Sequence, residues 1–266
     1  MPEEKTNIFS NFFSTEISGE LISSLIVILI IIVLSLIVGI LAARHNPLKK
    51  PKGLLLVAEC GVRFFDDFSR DLVGTTLPNF GGFIMGVAVY LFISFIFGLT
   101  GLPSPVTYMA VPLSLGLTTF LLIHYTSARF TKWAYFKRYI DPIPIFLPIN
   151  LISMWAPLLS LTLRLFGNAI AGWALLTIVE YALRDLSEMI FNFMPVTQTA
   201  AGVAENWNGI FLAPIPLAIL HAYFDLFSGL IQTFVFILLT SIFIGQEIPE
   251  DIELTTMERR KKKWKS

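Results

Sequence analysis

The sequence predicts an all-α polytopic membrane protein with five transmembrane helices and one interfacial amphipathic helix. Apolar side chains make up 55% of the 266 residues, charged side chains make up 14%, and the mean hydropathy is +0.73. Soluble domains carry about 25% charged residues, so this composition argues against a soluble domain. A helix needs about 20 apolar residues to cross the hydrocarbon core, and the sequence contains five apolar runs of that order.

The first three runs have the length of ordinary spans. The run 21–43 carries no charge, and the leader 1–20 before it is rich in glutamate, where a signal peptide carries cations. We therefore expect a retained helix after an external leader. The runs 80–101 and 106–128 are separated by LPSP, whose prolines end one helix and start the next. Residues 80–128 thus predict a transmembrane hairpin.

The last two runs, at about 149–183 and 217–244, are longer than the membrane requires. At 1.5 Å per residue they would measure roughly 50 Å and roughly 42 Å, so neither can stand upright in one piece. We expect a pair of long helices over 149–244 that are strongly tilted and packed together.

Residues 53–74 lie between the first two spans and predict an interfacial amphipathic helix. Apolar or small residues recur at helical spacing, namely Leu54, Val57, Ala58, Gly61, Phe65, Phe68 and Leu72. The charges fall elsewhere around the helix, namely Arg63, Asp66, Asp67 and Arg70. Such a helix lies along the membrane surface, and a soluble-facing helix against a partner is the alternative.

The cations predict the orientation of the chain in the cell membrane. Most of the 19 lysines and arginines fall in the segments 44–70, 129–138 and 259–265, which share one side if the chain crosses five times. By the positive-inside rule the N-terminus is external and the basic tail, 245–266, is cytoplasmic. The tail suits contact with anionic lipid in the bilayer, and we expect no nucleic-acid binding.

The sequence predicts no cofactor and no metal site. Cys60 is the single cysteine, which excludes an internal disulfide and a cysteine-based metal site. A Gly-rich phosphate loop and a His/Glu metal pattern are also missing from the sequence.

The stretch LRLFGNAIAG, residues 163–172, puts Arg164 inside the fourth run. A guanidinium stays charged, and placing it mid-helix costs roughly 2.5–3.5 kcal/mol even on a lenient insertion scale. A structural ion pair with another helix is one interpretation. However, Asn168 lies one turn later on the same face, among small residues that let another helix approach. This face suits contact with a surface that slides past it.

The fifth run contains polar residues that could complement Arg164. Asp225 and Gln232 are seven residues apart and so share a face, with His221 one turn before Asp225. A carboxylate in the membrane is a functional-site hypothesis by default, whereas Gln232 alone could form a simple interhelical hydrogen bond. Carboxylates and imidazoles along a wet path pass protons, so the sequence suggests two proton paths that Arg164 separates.

With these residues in place, LRLFGNAIAG resembles the signature of subunit a of the F-type ATP synthase membrane sector, in its bacterial or plastid-like branch. The resemblance covers roughly residues 20–245 and includes PSPVTYMAVPLSLGL, PINLI and IQTFVFILLTSIFI in family order. It implies a stator with two offset proton half-channels, which faces a rotating ring of small hairpin c subunits. Peripheral stalk b subunits are further implied partners, and the chain alone would not catalyse ATP synthesis.

The resemblance also implies roles for individual residues. Arg164 matches the family's essential arginine, which attracts the ring carboxylate and prevents proton leak. Asn168 and Gln232 match the family's asparagine and glutamine, and Asp225 occupies the position where members carry Glu or His on the outer half-channel.

Two departures from the family pattern affect the predicted route. Nine residues after the arginine, members commonly carry Glu or His, and this chain has Trp173, which cannot titrate. Asp225, His221 or Glu180 are then the candidates for the outer path, although Glu180 could simply lie at the lipid interface. His45 and His124 lie near helix ends, and we assign them to the interface.

On the inner side, a Glu usually follows PINLI in bacterial members, but here the next residues are Ser153, Met154 and Trp155. The inner half-channel could therefore be lined by water, Ser153 and Asn150 without a carboxylate.

A secondary transporter or channel that uses Arg164 to bind an anionic substrate is the alternative function. Such folds usually show two related halves with interrupted helices, which this sequence does not show. A purely structural scaffold would leave both Arg164 and Asp225 unexplained.

Overall fold

The computed structural model describes residues 19–46, 50–131, 145, 147–191, 197–198, 204–205 and 211–249, which are mostly helical. The α-helices are α1 (Gly19–Arg44), α2 (Leu54–Val73), α3 (Phe80–Ile96), α4 (Ala110–Thr131), α5 (Leu147–Ile190), α6 (Pro214–His221) and α7 (Gly229–Gly245). Two 3₁₀ turns, Phe97–Thr100 and Pro105–Thr107, lie between α3 and α4. A π-helical segment, Ala222–Ser228, joins α6 to α7 without a break. The short strands β1 (Thr197–Gln198) and β2 (Ala204–Glu205) pair antiparallel, with Thr197 opposite Glu205.

The predicted fold class is confirmed. Within the described residues, five helices are long and apolar enough to cross a membrane: α1, Phe80–Thr100, α4, α5 and Pro214–Gly245. The chain is a multi-pass membrane protein. Nearly all of the predicted leader and the basic tail beyond residue 249 lie outside the described residues.

The predicted amphipathic helix is α2, and its two ends differ in burial. Its C-terminal part is held by the core, where Ser69 and Val73 are buried and Phe68 packs against the main apolar cluster. Leu54 and Val57, at the other end, are exposed. An interfacial helix needs such a free apolar face if it is to contact lipid.

The last helical run packs tightly against the hairpin. A Cβ atom built on Gly229, at the start of α7, would lie only 2.6 Å from Cβ of Phe95 in α3. A side chain at this position would therefore separate the two helices. The core around this contact is formed by buried side chains of α3, α4, α5 and α7, including Ile84, Leu91, Leu165 and Phe236.

Helix α5 has 44 residues and ends at Ile190, beyond the predicted end at residue 183. A prediction from hydropathy places the end of a span at the first charged residues. Outside the hydrocarbon, however, charged residues continue a helix as well as apolar residues do. The ion pair of Glu180 with Arg184, at 3.0 Å and with i,i+4 spacing, crosses this boundary. The helix also continues through Pro157. Proline has no N–H to donate to the carbonyl one turn earlier, on Ser153.

Candidate functional site

Arg164 lies on the outer surface of α5. Its neighbours Leu161 and Leu165 are buried in the core, whereas the Arg164 side chain is exposed. The guanidinium Nη2 donates one long hydrogen bond, of 3.4 Å, to Oγ of Ser160. No described carboxylate forms an ion pair with it. The described part of the chain therefore gives no support to a structural ion pair.

The surface around Arg164 is low and open. The helix face of Arg164 also contains Ser160, four residues before it, and Gly167 and Ala171, three and seven residues after it. Ser160 and Ala171 are exposed, and a Cβ atom built on Gly167 would meet nothing within 4 Å. A second helix could approach this face closely because no bulky side chain covers it.

Asn168 connects α5 to the π-helical segment. Its Nδ2 donates a 3.0 Å hydrogen bond to Oγ of Ser228, and Ser228 Oγ lies at 3.2 Å from Asn168 Oδ1 as a donor in return. This pair of hydrogen bonds fixes the rotation of α5 against the last helical run. Asn168, one turn after Arg164, therefore has a structural partner in Ser228 and also lies beside the predicted site.

The π-helical segment carries Asp225. A hydrogen bond of 2.7 Å joins its Oδ2 to Nδ1 of His221, one turn earlier. The carboxylate also lies against Gly98 of the hairpin, where a built Cβ atom would be 3.1 Å from Asp225 Cγ. Single π-helical turns occur frequently at functional sites. Periodicity does not predict this segment, because its apolar pattern is that of an ordinary helix.

A first cavity, of about 390 Å³, lies between the hairpin loop, α5 and the π-helical segment. It brings together four of the predicted path residues, Asn168, Glu180, His221 and Asp225. Ser104 and Thr107 of the hairpin loop also line it, and so does Trp173. Polar side chains therefore form part of the cavity wall, although the non-titratable Trp173 replaces the family's Glu or His.

A second cavity, of about 190 Å³, lies near the beginning of α5. Asn150 and Ser153, the residues that the sequence suggests for the inner path, both line it. Two further lining residues, His124 of α4 and Glu247 just after α7, were not predicted for this path. The sequence showed only that both residues lie near the ends of apolar runs, which does not indicate a path residue, and His124 was assigned to the interface for that reason.

Arg164 lies between the two cavities along α5. The second cavity contacts this helix no further than Pro157, and the first begins at Asn168. At 1.5 Å per residue, Arg164 is about 10 Å along the axis from Pro157 and about 6 Å from Asn168. The two cavities share no lining residue.

Two predicted residues have different surroundings from the rest. Gln232 is 8% exposed in the packed face of α7 and lines neither cavity. Its Nε2 has no hydrogen-bond partner among the described residues. Glu180 lines the first cavity while pairing with Arg184 on the surface, and such exposed pairs contribute little to stability.

Comparison with known proteins identifies the family of the chain. The family model described as ATP synthase A chain matches residues 22–245, which is most of the chain. The chain belongs to this family. The resemblance indicated by LRLFGNAIAG is thereby confirmed, and membership implies a complex with other subunits of the membrane sector.

Bacterial members of the ATP synthase A chain family show the extent of the similarity. ATP synthase subunit a of Pediococcus pentosaceus is 29% identical over 224 residues, which cover 80% of this chain and 86% of the relative. The Bacillus subtilis subunit a is 29% identical over 203 residues, covering 70% and 77%. For Mycoplasmoides gallisepticum the identity is 28% over 211 residues, covering 76% and 69%.

Proposed function

We propose that this chain is the stator of the ATP synthase membrane sector and provides two offset proton half-channels to a rotating ring of carboxylate-bearing c subunits. One observation carries the proposal. Arg164 is exposed, lies between two cavities that are each partly lined by polar side chains, and has no carboxylate partner in the described part of the chain. Proton flow through such a stator turns the ring and drives ATP synthesis, and ATP hydrolysis turns it in reverse.

Arg164 acts as an electrostatic barrier. Two unit charges at 4 Å attract each other by about 4 kcal/mol at an effective dielectric constant of 20, so a deprotonated ring carboxylate is held as it passes the guanidinium. The guanidinium cannot release a proton in practice, and its charge repels hydronium. Protons therefore cross only by binding to the ring and travelling with it.

The first cavity is the outer half-channel. Asp225 and His221 form a hydrogen-bonded pair of titratable groups that line it. They take the role of the Glu or His that family members commonly carry at the position of Trp173. Glu180 lines the same cavity and receives protons from the external side. Asn168 holds α5 in register through Ser228.

The second cavity is the inner half-channel, where Ser153 and Asn150 contact water that leads to the cytoplasm. Ser153 Oγ donates to the carbonyl of Ile149 at 2.9 Å, so its hydroxyl oxygen is left to accept a hydrogen bond from water. The carbonyl of Ser153 has no helical donor because Pro157 lacks an N–H. Both oxygens favour a hydrated cavity.

Orientation and partners follow from the same proposal. The N-terminus is external and the tail cytoplasmic, so the first cavity opens to the outside and the second to the cytoplasm. The ring of c subunits covers the open face around Arg164, and peripheral stalk b subunits hold the stator in place. Gln232 supports the site from the buried side of α7, and the basic tail contacts anionic lipid.

The proposal is tested by ATP-driven acidification of inverted membrane vesicles that carry Arg164→Ala in the complete complex. We expect pumping to fall by at least 100-fold while the ring and stalk still assemble, because no fixed charge then holds the ring carboxylate. Passive proton conductance of the same vesicles should rise. Arg63→Ala, which removes an exposed arginine on α2, is the matched control and should pump normally.

Unchanged pumping in Arg164→Ala vesicles would contradict the stator proposal. It would favour the alternative, a transporter or channel in which Arg164 binds an anionic substrate. Purification separates the two functions further, because a stator copurifies with small apolar hairpin subunits, whereas a transporter binds its substrate when purified alone.

A further inference from the structure

An acidic residue lines the second cavity from outside α5, the helix on which the family pattern carries its glutamate. No Glu follows PINLI in this chain, and Ser153 occupies that part of the cavity wall. Glu247 lines the same cavity from the turn after α7. We propose that Glu247 is the proton-carrying carboxylate of the inner half-channel. The inference rests on the proposed function and extends it to a specific group.

Glu247 is held in place by the end of α7. The backbone N–H groups of Gln246, Glu247 and Ile248 donate to the carbonyls of Ile242, Ile244 and Gly245 at 3.0, 3.2 and 3.1 Å. These bonds close the last turn of the run, so Glu247 is part of an ordered helix terminus.

Two tertiary contacts fix this terminus against the rest of the molecule. Ile248 is 9% exposed and belongs to the main apolar cluster. Gly245 lies so close to the carbonyl of Leu72 in α2 that a side chain there could not be accommodated without a shift. The Glu247 carboxylate is therefore presented to the cavity by a rigid support.

The other polar groups of the second cavity are poorly suited to accept a proton. The amide of Asn150 and the hydroxyl of Ser153 do not titrate in the physiological range, and Ser153 already donates its hydrogen to Ile149. His124 is the one other titratable lining residue. Its ring stands edge-on against Phe120, with centroids 4.2 Å apart, and Phe120 stacks on Trp155 at 5.1 Å. Aromatic packing thus restrains His124, whereas Glu247 lies in the turn after α7.

The transfer needs no co-reactant. The ring carboxyl group releases its proton to water in the second cavity, the water passes a proton to the Glu247 carboxylate, and Glu247 releases it to the cytoplasm. The proton moves in the opposite direction when the motor is driven by ATP. Only O–H bonds break and form, and Glu247 returns to its carboxylate form after each transfer.

The test compares Glu247→Gln with Glu247→Asp in inverted vesicles of the complete complex. We expect Glu247→Gln to lower ATP-driven acidification at least tenfold with normal assembly, and Glu247→Asp to keep at least half of it. Glu59→Gln, the same change on the exposed side of α2, should pump normally. If Glu247→Gln fails to assemble, Glu247→Cys in a Cys60→Ser background replaces it, and a carboxyethyl thiol reagent, but not an uncharged ethyl reagent, should restore pumping.

Measuring Arg164→Ala in parallel separates the two proposals. Lost pumping in Arg164→Ala together with normal pumping in Glu247→Gln overturns the role of Glu247 and leaves the stator intact. A large loss in His124→Gln with none in Glu247→Gln also overturns it and assigns the proton to His124. Normal pumping in both Arg164→Ala and Glu247→Gln overturns the proposed function itself.

Discussion

Arg164 and Asp225 can be identified from the sequence as candidate functional residues. The free-energy cost of placing their charges in the membrane does not depend on how the helices pack. A charge inside a long apolar run is expensive wherever that run packs. Glu247 and His124 had no such signal, since charges and imidazoles at the ends of a span cost little. Their presence in one cavity follows from the packing of α4, α5 and the end of α7, which a single sequence does not specify.

The contact between Gly98 and Asp225 leads to a prediction at the residue scale. A Cβ atom on Gly98 would lie 3.1 Å from both Cγ and Oδ2 of Asp225, so Gly98→Ala should push the carboxylate out of its position beside His221. We expect ATP-driven proton pumping to fall severalfold without loss of assembly. The measurement is the initial rate of vesicle acidification per assembled complex.

The control for this prediction is Gly86→Ala in α3, where the added methyl group would meet nothing within 4 Å. Its pumping rate should equal that of the natural chain. Equal rates for Gly98→Ala and Gly86→Ala would show that the position of the Asp225 carboxylate does not limit proton flow.

At the scale of the elements, hydropathy and proline placement predict the number, order and approximate limits of the five spans. Two features escape this kind of prediction. The end of α5 lies among charged residues, where hydropathy has no bearing on helix formation. The π-helical segment differs from an α-helix only in which carbonyl each N–H selects, and the aromatic residues Tyr223, Phe224 and Phe227 within it carry no pattern that favours either form.

The close approach of α3 and α7 leads to a prediction about assembly. In Gly229→Ala the new methyl group would overlap Phe95, at 2.6 Å from its Cβ, and overpacking of this kind typically costs about 1–3 kcal/mol. We expect the complex to lose this subunit at a lower temperature. The measurement is the fraction of chain that stays in the assembled complex after detergent-solubilised membranes are heated.

Gly82→Ala provides the comparison for Gly229→Ala. It adds the same methyl group in α3 where nothing lies within 4 Å, and replacing a helical glycine by alanine removes a penalty of up to about 1 kcal/mol. Its complex should be as heat-resistant as the natural one or slightly more so. If Gly229→Ala behaves in the same way, α3 and α7 are free to separate and the π-helical segment is not held by this contact.

At the scale of the whole molecule, the arrangement consists of two cavities along α5, each partly lined by polar side chains, with the exposed Arg164 between them. The sequence suggested two paths from the chemistry of single residues, and most of the residues it named do line these two cavities. Gln232 is the exception, because its side chain points into the helix packing. Helical spacing alone could not distinguish that face from the cavity face, since the π-helical segment changes the rotation between Asp225 and Gln232.

The most direct test of the central claim, that the two cavities open to opposite sides of the membrane, is sided labelling with a membrane-impermeant thiol reagent. Cys60 is the single cysteine, so Cys60→Ser yields a background into which Ser153→Cys or Thr177→Cys is introduced, one in each cavity wall. We predict that Ser153→Cys reacts only in inverted vesicles and Thr177→Cys only in right-side-out vesicles. Reaction of both from the same side would contradict two half-channels separated by Arg164.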